Sequence, residues 1–252
     1  MSGHSKWSTI KRKKAAEDAK RGKLFTKLGK EIAIAAREGG PDPDVNFRLR
    51  LAIDKAKDAN MPKDNIERAM RRGAGLEKDA ADLEEITYEG YGPHGVALMI
   101  QVVTDNRNRA VADIRRWFSK LGGNLGETGC VAWQFESKGY ITITPDDLDS
   151  DYVLEAAVES GADDLVFSDD LIEIFSEPSD FQLVRSGLEQ HGLRLASAEL
   201  TMVPKTTVAL DEKLAFQNMN LISTLEELDD VQQVYSNLDI SDELMQKFEA
   251  QD

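Results

Sequence analysis

The sequence predicts a protein of the α+β class, with an N-terminal three-helix bundle followed by two ferredoxin-like sheets. Apolar residues recur at helical spacing as far as residue 73. Beyond residue 84, short β-rich runs alternate with amphipathic helical segments. The chain has 252 residues, 41% of them hydrophobic, which is enough for two or three small domains that each bury a core.

Three apolar stripes predict the helices of the bundle. They cover about residues 23–38, 44–59 and 62–73, and they are separated by the turn-forming stretches Gly39-Gly40-Pro41 and Asn60-Met61-Pro62. Residues 1–22 are polar and basic with few apolar anchors, so we expect an arm or a loosely held helix that is mobile without a partner.

The remaining chain predicts two sheets, each with helices on one face. Strands and helices alternate loosely in a register that resembles a duplicated ferredoxin-like unit. The predicted helices are 108–121, 148–160, 181–191 and 213–228. The predicted strands are 85–89, 96–104, 131–135, 139–144, 196–203 and 231–236, with a hairpin over 165–175 and a short strand that Val208 closes.

Charge is divided unevenly along the chain. Residues 1–75 hold 19 Lys and Arg against 10 Asp and Glu, a net of +9. Residues 76–252 hold the other 12 against 36, a net of −24, and the whole chain carries −15. This division predicts a basic segment that binds an anionic partner, attached to an acidic body that is repelled by nucleic acid.

No cluster of residues indicates a catalytic, metal or nucleotide site. His4, His94 and His191 stand in different segments without a partner at ligand spacing. Cys130 is the only cysteine, which excludes an internal disulfide and a cysteine-built zinc site. The glycines of 122–129 follow a predicted helix and precede a strand, the reverse of the order that binds phosphate. We therefore expect no enzyme, cofactor, metal or small-molecule substrate.

The acidic pairs in residues 146–151 and 163–164 are better explained as helix caps and turns than as a magnesium site or carboxylate dyad. The longest nearly apolar run, 96–103, is too short to span a bilayer, and the basic N-terminus has no apolar stretch behind it. We therefore expect a soluble, cytoplasmic protein without a membrane partner.

Basic residues near the N-terminus are the candidate contacts to nucleic acid. Six Lys or Arg residues lie between positions 6 and 20 with Trp7 among them, which suits phosphates and a base to stack on. A solubilising charge run, or an arm docked through Trp7 and Ile10, is the alternative. The predicted contacts are Lys6, Trp7, Lys11, Arg12, Lys13, Lys14, Lys20, Arg21, Lys23, Lys27, Arg107 and Arg109.

A second basic patch follows the β-rich run at 96–104. Its members are Arg107, Arg109, Arg115, Arg116 and Lys120. Helical spacing places Arg109, Arg116 and Lys120 on one face, so the patch could extend the same binding surface. Pairing with nearby carboxylates explains these residues equally well. If five or six phosphates are engaged, log affinity falls against log salt with a slope of about −4 to −5.

Five collinear blocks resemble the YebC family, and together they extend over nearly the whole chain. They are Ser2-Gly3-His4-Ser5-Lys6-Trp7 with Ile10-Lys11, residues 60–69 (NMPKDNIERA), residues 88–93 (YEGYGP), residues 104–109 (TDNRNR), and Gly122-Gly123 through Val131-Ala132-Trp133. The resemblance implies three domains, the last inserted in the middle one, which gives 1–75, 76–136 plus 206–244, and 137–205.

The resemblance also implies a function. Family members are described as probable transcriptional regulators that bind DNA, whereas mitochondrial relatives resemble translational activators and bacterial ones are linked to ribosomes stalled on proline-rich sequence. We therefore expect a non-enzymatic, nucleic-acid-binding regulator of gene expression. A ribosome- or RNA-associated translation factor is the first alternative. A protein-interaction adaptor whose acidic sheets bind a basic partner is the second. Oligomeric state is not indicated.

Overall fold

A computed structural model of the protein describes residues 18–76, 82–145, 148–168 and 171–250, with side chains from residue 21 onward except those of Asp242 and Glu249. The described residues form two compact units. Residues 135–204 form one, and the described chain on either side of them forms the other. Each unit contains one four-stranded antiparallel sheet, so the predicted α+β class is confirmed.

The head, defined here as residues 18–76, contains helices α1 (Asp18–Gly39), α2 (Phe47–Asp58) and α3 (Lys63–Gly73). Helix α1 begins within the segment predicted to be an arm, because residues 18–22 are polar and therefore precede the apolar stripe that marks the helix in sequence. The helix ends at Gly39, and the next residue, Gly40, has a φ of 87°, the left-handed conformation that glycine tolerates best. One core joins the three helices: Leu28, Ile32, Ala35, Ala36, Leu49, Ala52, Ile53, Ala56, Met61, Ile66 and Ala69.

Asn46 sets the angle between the first two helices. Its side-chain oxygen accepts from the backbone N–H of Leu49 at 3.0 Å, which caps α2. Its Nδ2 donates to the carbonyls of Ala35 and Gly40 at 2.7 Å each. Every polar group of this buried amide is thus bonded, and the end of α1 is joined to the start of α2.

The elements beyond the head follow in chain order. They are β1 (Glu84–Tyr91), β2 (Ala97–Thr104), α4 (Arg107–Lys120), β3 (Asn124–Leu125), β4 (Phe135–Ile143), α5 (Ser150–Glu159), β5 (Asp164–Phe167), β6 (Ile172–Ser176), α6 (Phe181–Gln190), β7 (Leu195–Pro204), α7 (Glu212–Glu226), β8 (Val231–Ser236) and α8 (Asp242–Glu249). The predicted hairpin over 165–175 is present as β5 and β6. Val208 forms an isolated parallel bridge to Leu238 in place of a full strand.

The two sheets share one spatial plan. The sheet of residues 135–204 has the order β5-β6-β4-β7, and its chain runs βαββαβ, which is the ferredoxin-like arrangement. The other sheet has the order β3-β1-β2-β8. In this sheet β1 occupies the position that β6 occupies in the sheet of residues 135–204. Strand β1 nevertheless precedes the other strands of its sheet in sequence. The expected pair of ferredoxin-like sheets is confirmed, one of them with a permuted strand.

The predicted strand at 131–135 is wrong for its first four residues. Ala132–Gln134 form a 3-10 turn, and β4 begins only at Phe135 and continues without a break to Ile143. The backbone N–H groups of Val131 and Ala132 donate to the side chain of Glu89, so they are not available to a strand. The two-residue strand β3 and helix α8 were not predicted, because each is too short or too polar to show a clear period.

Candidate nucleic-acid interface

The predicted arm lies largely outside the described residues. This applies to Lys6, Trp7, Lys11, Arg12, Lys13 and Lys14, and to the side chain of Lys20, whose backbone belongs to α1. The structure therefore places only Arg21, Lys23, Lys27, Arg107 and Arg109 of the predicted set.

Three of these five side chains are exposed at helix starts. Arg21 and Lys23 lie in the first turns of α1, and Arg107 is the first residue of α4. Among the residues that the structure describes, neither Lys23 nor Arg107 has a side-chain hydrogen bond or an ion pair. Their charges are therefore available to an anionic partner.

The carboxylate of Asp230 binds two cations from distant parts of the chain. Lys30 of α1 approaches its Oδ1 at 2.7 Å, and the guanidinium of Arg109 in α4 approaches its Oδ2 at 2.8 Å. Arg109 also pairs with Asp105 at 2.8 Å. Arg109 was predicted to contact phosphate, and here its guanidinium is held by two carboxylates.

The electrostatics of this cluster favour the charged states of Asp230 and Arg109. Burial by itself raises the pKa of the Asp230 carboxyl, but hydrogen bonds from Lys30 and Arg109 outweigh it and lower that pKa below its usual range. The hydrogen bond to Asp230 raises the pKa of Arg109. The side chain of Asp230 is only 10% exposed, so water screens these charges weakly.

Lys27 adds a second link, between α1 and the end of α7. Its Nζ donates to the carbonyl of Glu226 at 2.5 Å, and the Nζ of Lys30 donates to the carbonyl of Asp229 at 2.9 Å. Glu226 is the last residue of α7, where a helix leaves carbonyls without partners and attracts cations, and Asp229 lies in the turn that follows. Lys27, predicted as a phosphate contact, therefore also anchors the head.

These links join the middle of α1 to the start of α4. Lys23 stands about 10 Å along the helix axis from Lys30, and Arg107 is two residues from Arg109. Apolar packing of Ala33 and Ile34 with Leu83 and Val103 supports the same arrangement. Two basic segments that are far apart in sequence are thus joined through one ion-pair cluster.

The remainder of the second basic patch behaves differently from Arg109. Arg116 and Lys120 lie against the ring of Trp117, at 5.7 and 4.5 Å from its centroid. Arg115 is exposed on the same helix. Helix α4 therefore presents several cations to solvent, although Arg109 in its first turn is bound by Asp230.

Helix α3 contributes basic residues that the sequence analysis did not single out. Arg68 and Arg71 are exposed and pair with no carboxylate among the described residues. The signal was present in the sequence, because both lie opposite the apolar stripe of Ile66 and Ala69. Other cations of the head are neutralised, as in the pairing of Arg48 with Glu38 and Glu85.

Comparison with known proteins identifies the family. A family model described as "TACO1/YebC protein N-terminal domain" matches residues 5–76, and one described as "TACO1/YebC second and third domain" matches residues 83–238. The chain belongs to the YebC family. A protein of Rubrobacter xylanophilus named "Probable transcriptional regulatory protein" is 57% identical over 245 residues, which cover 97% of this chain and 98% of that one.

Further YebC-family relatives agree with this assignment. A protein of Trichlorobacter lovleyi with the same name is 56% identical over 247 residues, 98% of this chain and 99% of that one. The crystal structure of a conserved hypothetical protein, Aq1575 from Aquifex aeolicus, is 47% identical with a TM-score of 0.82, and the match covers 89% of this chain and 93% of that one. The family is thus one whose curated members are named probable transcriptional regulators.

Two of the blocks that resemble the YebC family meet in one rigid loop. Glu89 is buried, and its carboxylate accepts from the backbone N–H groups of Gly129, Val131 and Ala132 at 2.7 to 2.8 Å. Burial alone raises the pKa of Glu89, but these donors outweigh it and lower the pKa. The loop carries Trp133, which is 67% exposed.

A hydrogen bond to the backbone holds the indole of Trp133 in place. Its Nε1 donates to the carbonyl of Cys130 at 3.1 Å, and the same carbonyl accepts from the hydroxyl of Tyr91 at 2.9 Å. The ring faces of Trp133 are therefore its remaining recognition surface. Sequence reasoning found Trp133 only as part of a family block, because its exposure depends on the Glu89 contacts.

The residues considered for other chemistry occupy structural positions. His94 lies in a 3-10 turn with φ of 62°, and His191 caps the end of α6. The thiol of Cys130 is half-buried, and burial together with nearby Glu89 raises its pKa, which disfavours the reactive thiolate. Asp149 caps α5 by accepting from the N–H of Asp151.

The described ranges contain no group of three or more His, Cys, Asp or Glu placed to hold a metal ion. They also contain no helix that combines the length and apolar composition needed to cross a bilayer.

Proposed function

We propose that this YebC-family protein is a non-enzymatic regulator of gene expression that binds the sugar–phosphate backbone of a nucleic acid. The contacts come from the N-terminal arm, the start of α1 and the start of α4. Arg21, Lys23 and Arg107 meet phosphates directly. Lys27, Lys30 and Arg109 position this surface through their bonds to the end of α7 and to the turn before β8.

The observation that carries the proposal is the shared ion-pair cluster at Asp230. It joins α1 to α4 although both helices are cationic. Lys23 lies two helical turns before Lys30 on the same face of α1, and Arg107 lies two residues before Arg109, so we infer that both exposed cations belong to one surface. The names of the curated relatives support a role in gene regulation. The acidic remainder of the chain repels nucleic acid, which restricts binding to this surface.

Base-specific recognition is not part of the proposal. A helix that recognises bases carries Asn, Gln or Arg toward the major groove. Helix α3 instead exposes Asp64 and Glu67 beside Arg68 and Arg71, and these carboxylates would meet phosphates unfavourably. Phosphate contacts position a protein without specifying sequence. Structured RNA, including ribosomal RNA, is therefore the alternative target to DNA, and with it a role in translation.

Crosslinking in cells followed by sequencing of both bound DNA and bound RNA tests the proposal. The wild-type protein is compared with the double variant Lys23→Gln, Arg107→Gln, and with Lys213→Gln as a control on an exposed lysine of α7. We expect the double variant to lose most of the crosslinks and the control to retain them. Enrichment of promoters assigns DNA, and enrichment of ribosomal RNA assigns the translational role. Equal crosslinking by all three proteins would contradict the proposal.

A further inference from the structure

The unit of residues 135–204 is strongly acidic. It contains 16 Asp and Glu against 3 Lys and Arg, a net charge of −13. Two of the three cations are internally paired: Lys138 with Asp163 and Glu177, and Arg185 with Glu189. A surface of this charge repels nucleic acid and attracts cationic partners.

Helix α5 of this unit exposes apolar side chains beside carboxylates. Val153, Ala156 and Ala157 are buried against the sheet. Leu154 and Val158 lie one helical turn apart on another face, and their side chains are 46% and 66% exposed. Asp151 and Glu155 occupy the same outward face and are exposed.

The flank of α5 that carries Leu154 and Val158 is turned away from α6. The hydroxyl of Tyr152 donates to the carbonyl of His191 at the end of α6 at 2.6 Å, and the two rings stand edge to face. Tyr152 therefore marks the flank next to α6. At about 100° per residue, Leu154 and Val158 lie more than 100° around the helix from it. They face the other flank, toward the strand β5 that α5 leads into.

Strand β5 continues the apolar surface at that edge of the sheet. Leu165 and Phe167 pair with Ile174 and Ile172, which are buried on the helix-covered face. Phe167 is nevertheless 43% exposed. Leu154, Val158 and Phe167 thus form an apolar strip at one edge of an acidic unit. Isolated exposed apolar residues are ordinary, but a strip of this kind marks an interaction surface.

We propose that this strip binds a basic amphipathic helix of a partner protein. The apolar side of such a helix covers Leu154, Val158 and Phe167, and its Lys and Arg residues face Asp151 and Glu155. Nucleic acid is disfavoured because it has no cations to offer. A second copy of this acidic unit is disfavoured because two surfaces of net charge −13 repel each other.

Addition of a strand to the open edge of β5 is also disfavoured. The N–H of Leu165, which points out of the sheet, donates at 2.8 Å to Oδ1 of Asp164. An acidic side chain that covers an edge in this way protects it against strand pairing. Recognition therefore depends on side chains, and the helix-in-groove mode fits the strip better than a strand does.

A synthetic amphipathic helix of leucine and lysine, labelled for fluorescence anisotropy, tests the binding surface on the full-length protein. The double variant Leu154→Ser, Val158→Ser is compared with Leu183→Ser, which removes a 67% exposed leucine from α6 outside the strip. We expect about a tenfold loss of affinity in the double variant and none in the control. Equal affinity of all proteins, or an equal loss in the control, would overturn the proposal.

A photo-crosslinking side chain at position 158, with position 183 as its control, tests the class of partner in cells. We expect position 158 to give a protein adduct whose crosslinked segment is rich in Lys and Arg, and position 183 not to give it. Adducts to nucleic acid, to a second copy of the chain, or to an acidic segment would contradict the proposal. The head is unchanged in these variants, so either result leaves the proposed nucleic-acid function to its own test.

Discussion

Lys30 and Asp230 form a 2.7 Å ion pair that joins the first helix of the head to the turn before β8. The same carboxylate binds Arg109 at the start of α4. Because both cations are bonded to Asp230, the cluster connects α1, α4 and the turn before β8. Its members are therefore expected to affect stability and positioning, whereas their exposed neighbours are expected to affect binding.

Asp230→Asn is expected to lower the free energy of unfolding by about 2 to 4 kcal/mol, because it leaves two cations without their carboxylate. The pKa of Asp230 is lowered in the folded protein, so its stabilisation is full above the unfolded value of about 3.9. The stabilisation is lost as pH falls through the lower folded value. Denaturant unfolding at several pH values measures both effects.

Asp229→Asn is the matched control for Asp230→Asn. The side chain of Asp229 is exposed, and Lys30 bonds only to its backbone carbonyl. The substitution removes the same charge one residue away and is expected to change the free energy of unfolding by less than about 0.5 kcal/mol. Equal losses in the two variants would refute the role assigned to the Asp230 carboxylate.

Arg107 and Arg109 are expected to respond oppositely to neutralisation. Arg107→Gln removes an exposed phosphate contact, so the slope of log affinity against log salt should become shallower by about 0.9 for DNA, with no change in stability. Arg109→Gln removes a partner of Asp230, so it should lower the free energy of unfolding by about 1 to 3 kcal/mol. Its salt slope should stay near that of the wild type. Binding titrations at several salt concentrations and denaturant melts separate the two, and a reversed pattern would show that Arg109 is the contact.

Glu89→Gln is expected to release the loop that carries Trp133. It removes the charge that three backbone N–H groups bond to, which should cost about 2 to 3 kcal/mol of unfolding free energy. Hydrogen exchange should accelerate at Gly129, Val131 and Ala132. The control is Glu127→Gln, at an exposed position of the same loop. Unchanged exchange in the Glu89 variant would mean that the loop is held by other contacts.

Gly73→Ala is expected to disrupt the packing of α3 on α1. A Cβ at this position would stand 2.2 Å from the carbonyl oxygen of Ala33, and relieving that overlap should cost about 1 to 3 kcal/mol. At Gly22 in α1 a Cβ meets no atom within 4 Å. Gly22→Ala should therefore stabilise the helix by about 0.5 to 1 kcal/mol. Thermal melts compare the two variants. Equal melting temperatures would contradict the close packing of α3 on α1 at Gly73.

Local patterns predicted most of the fold. Helix α3 ends at Gly73 and β8 spans 231–236, as their periods indicate. The error at 131–134 has a tertiary cause, because the carboxylate of Glu89 binds backbone groups of a segment with strand-like composition. Position 89 lies far from that segment in sequence, so no local window contains both.

The site was predictable in its charge and less so in its geometry. Lys23 follows from the division of charge along the chain, and Arg107 follows from the second basic patch. The partner of Arg109 cannot be predicted in this way, because Asp230 lies near Arg109 only through the pairing of β8 with β2. An unpaired arginine and an ion-paired one look alike in a sequence, and only the fold distinguishes a contact from a residue that positions it.

The salt dependence of nucleic-acid binding tests the central claim most directly. Titrations of labelled duplex DNA and of a structured RNA compare the wild type with the double variant Lys23→Gln, Arg107→Gln and with the control variant Lys213→Gln. We predict a slope of about −4 to −5 for the wild type and for the control on its preferred ligand, and a slope shallower by about 1.5 to 2 for the double variant. A slope near zero, or one that the double substitution leaves unchanged, would contradict a phosphate-binding surface at the starts of α1 and α4.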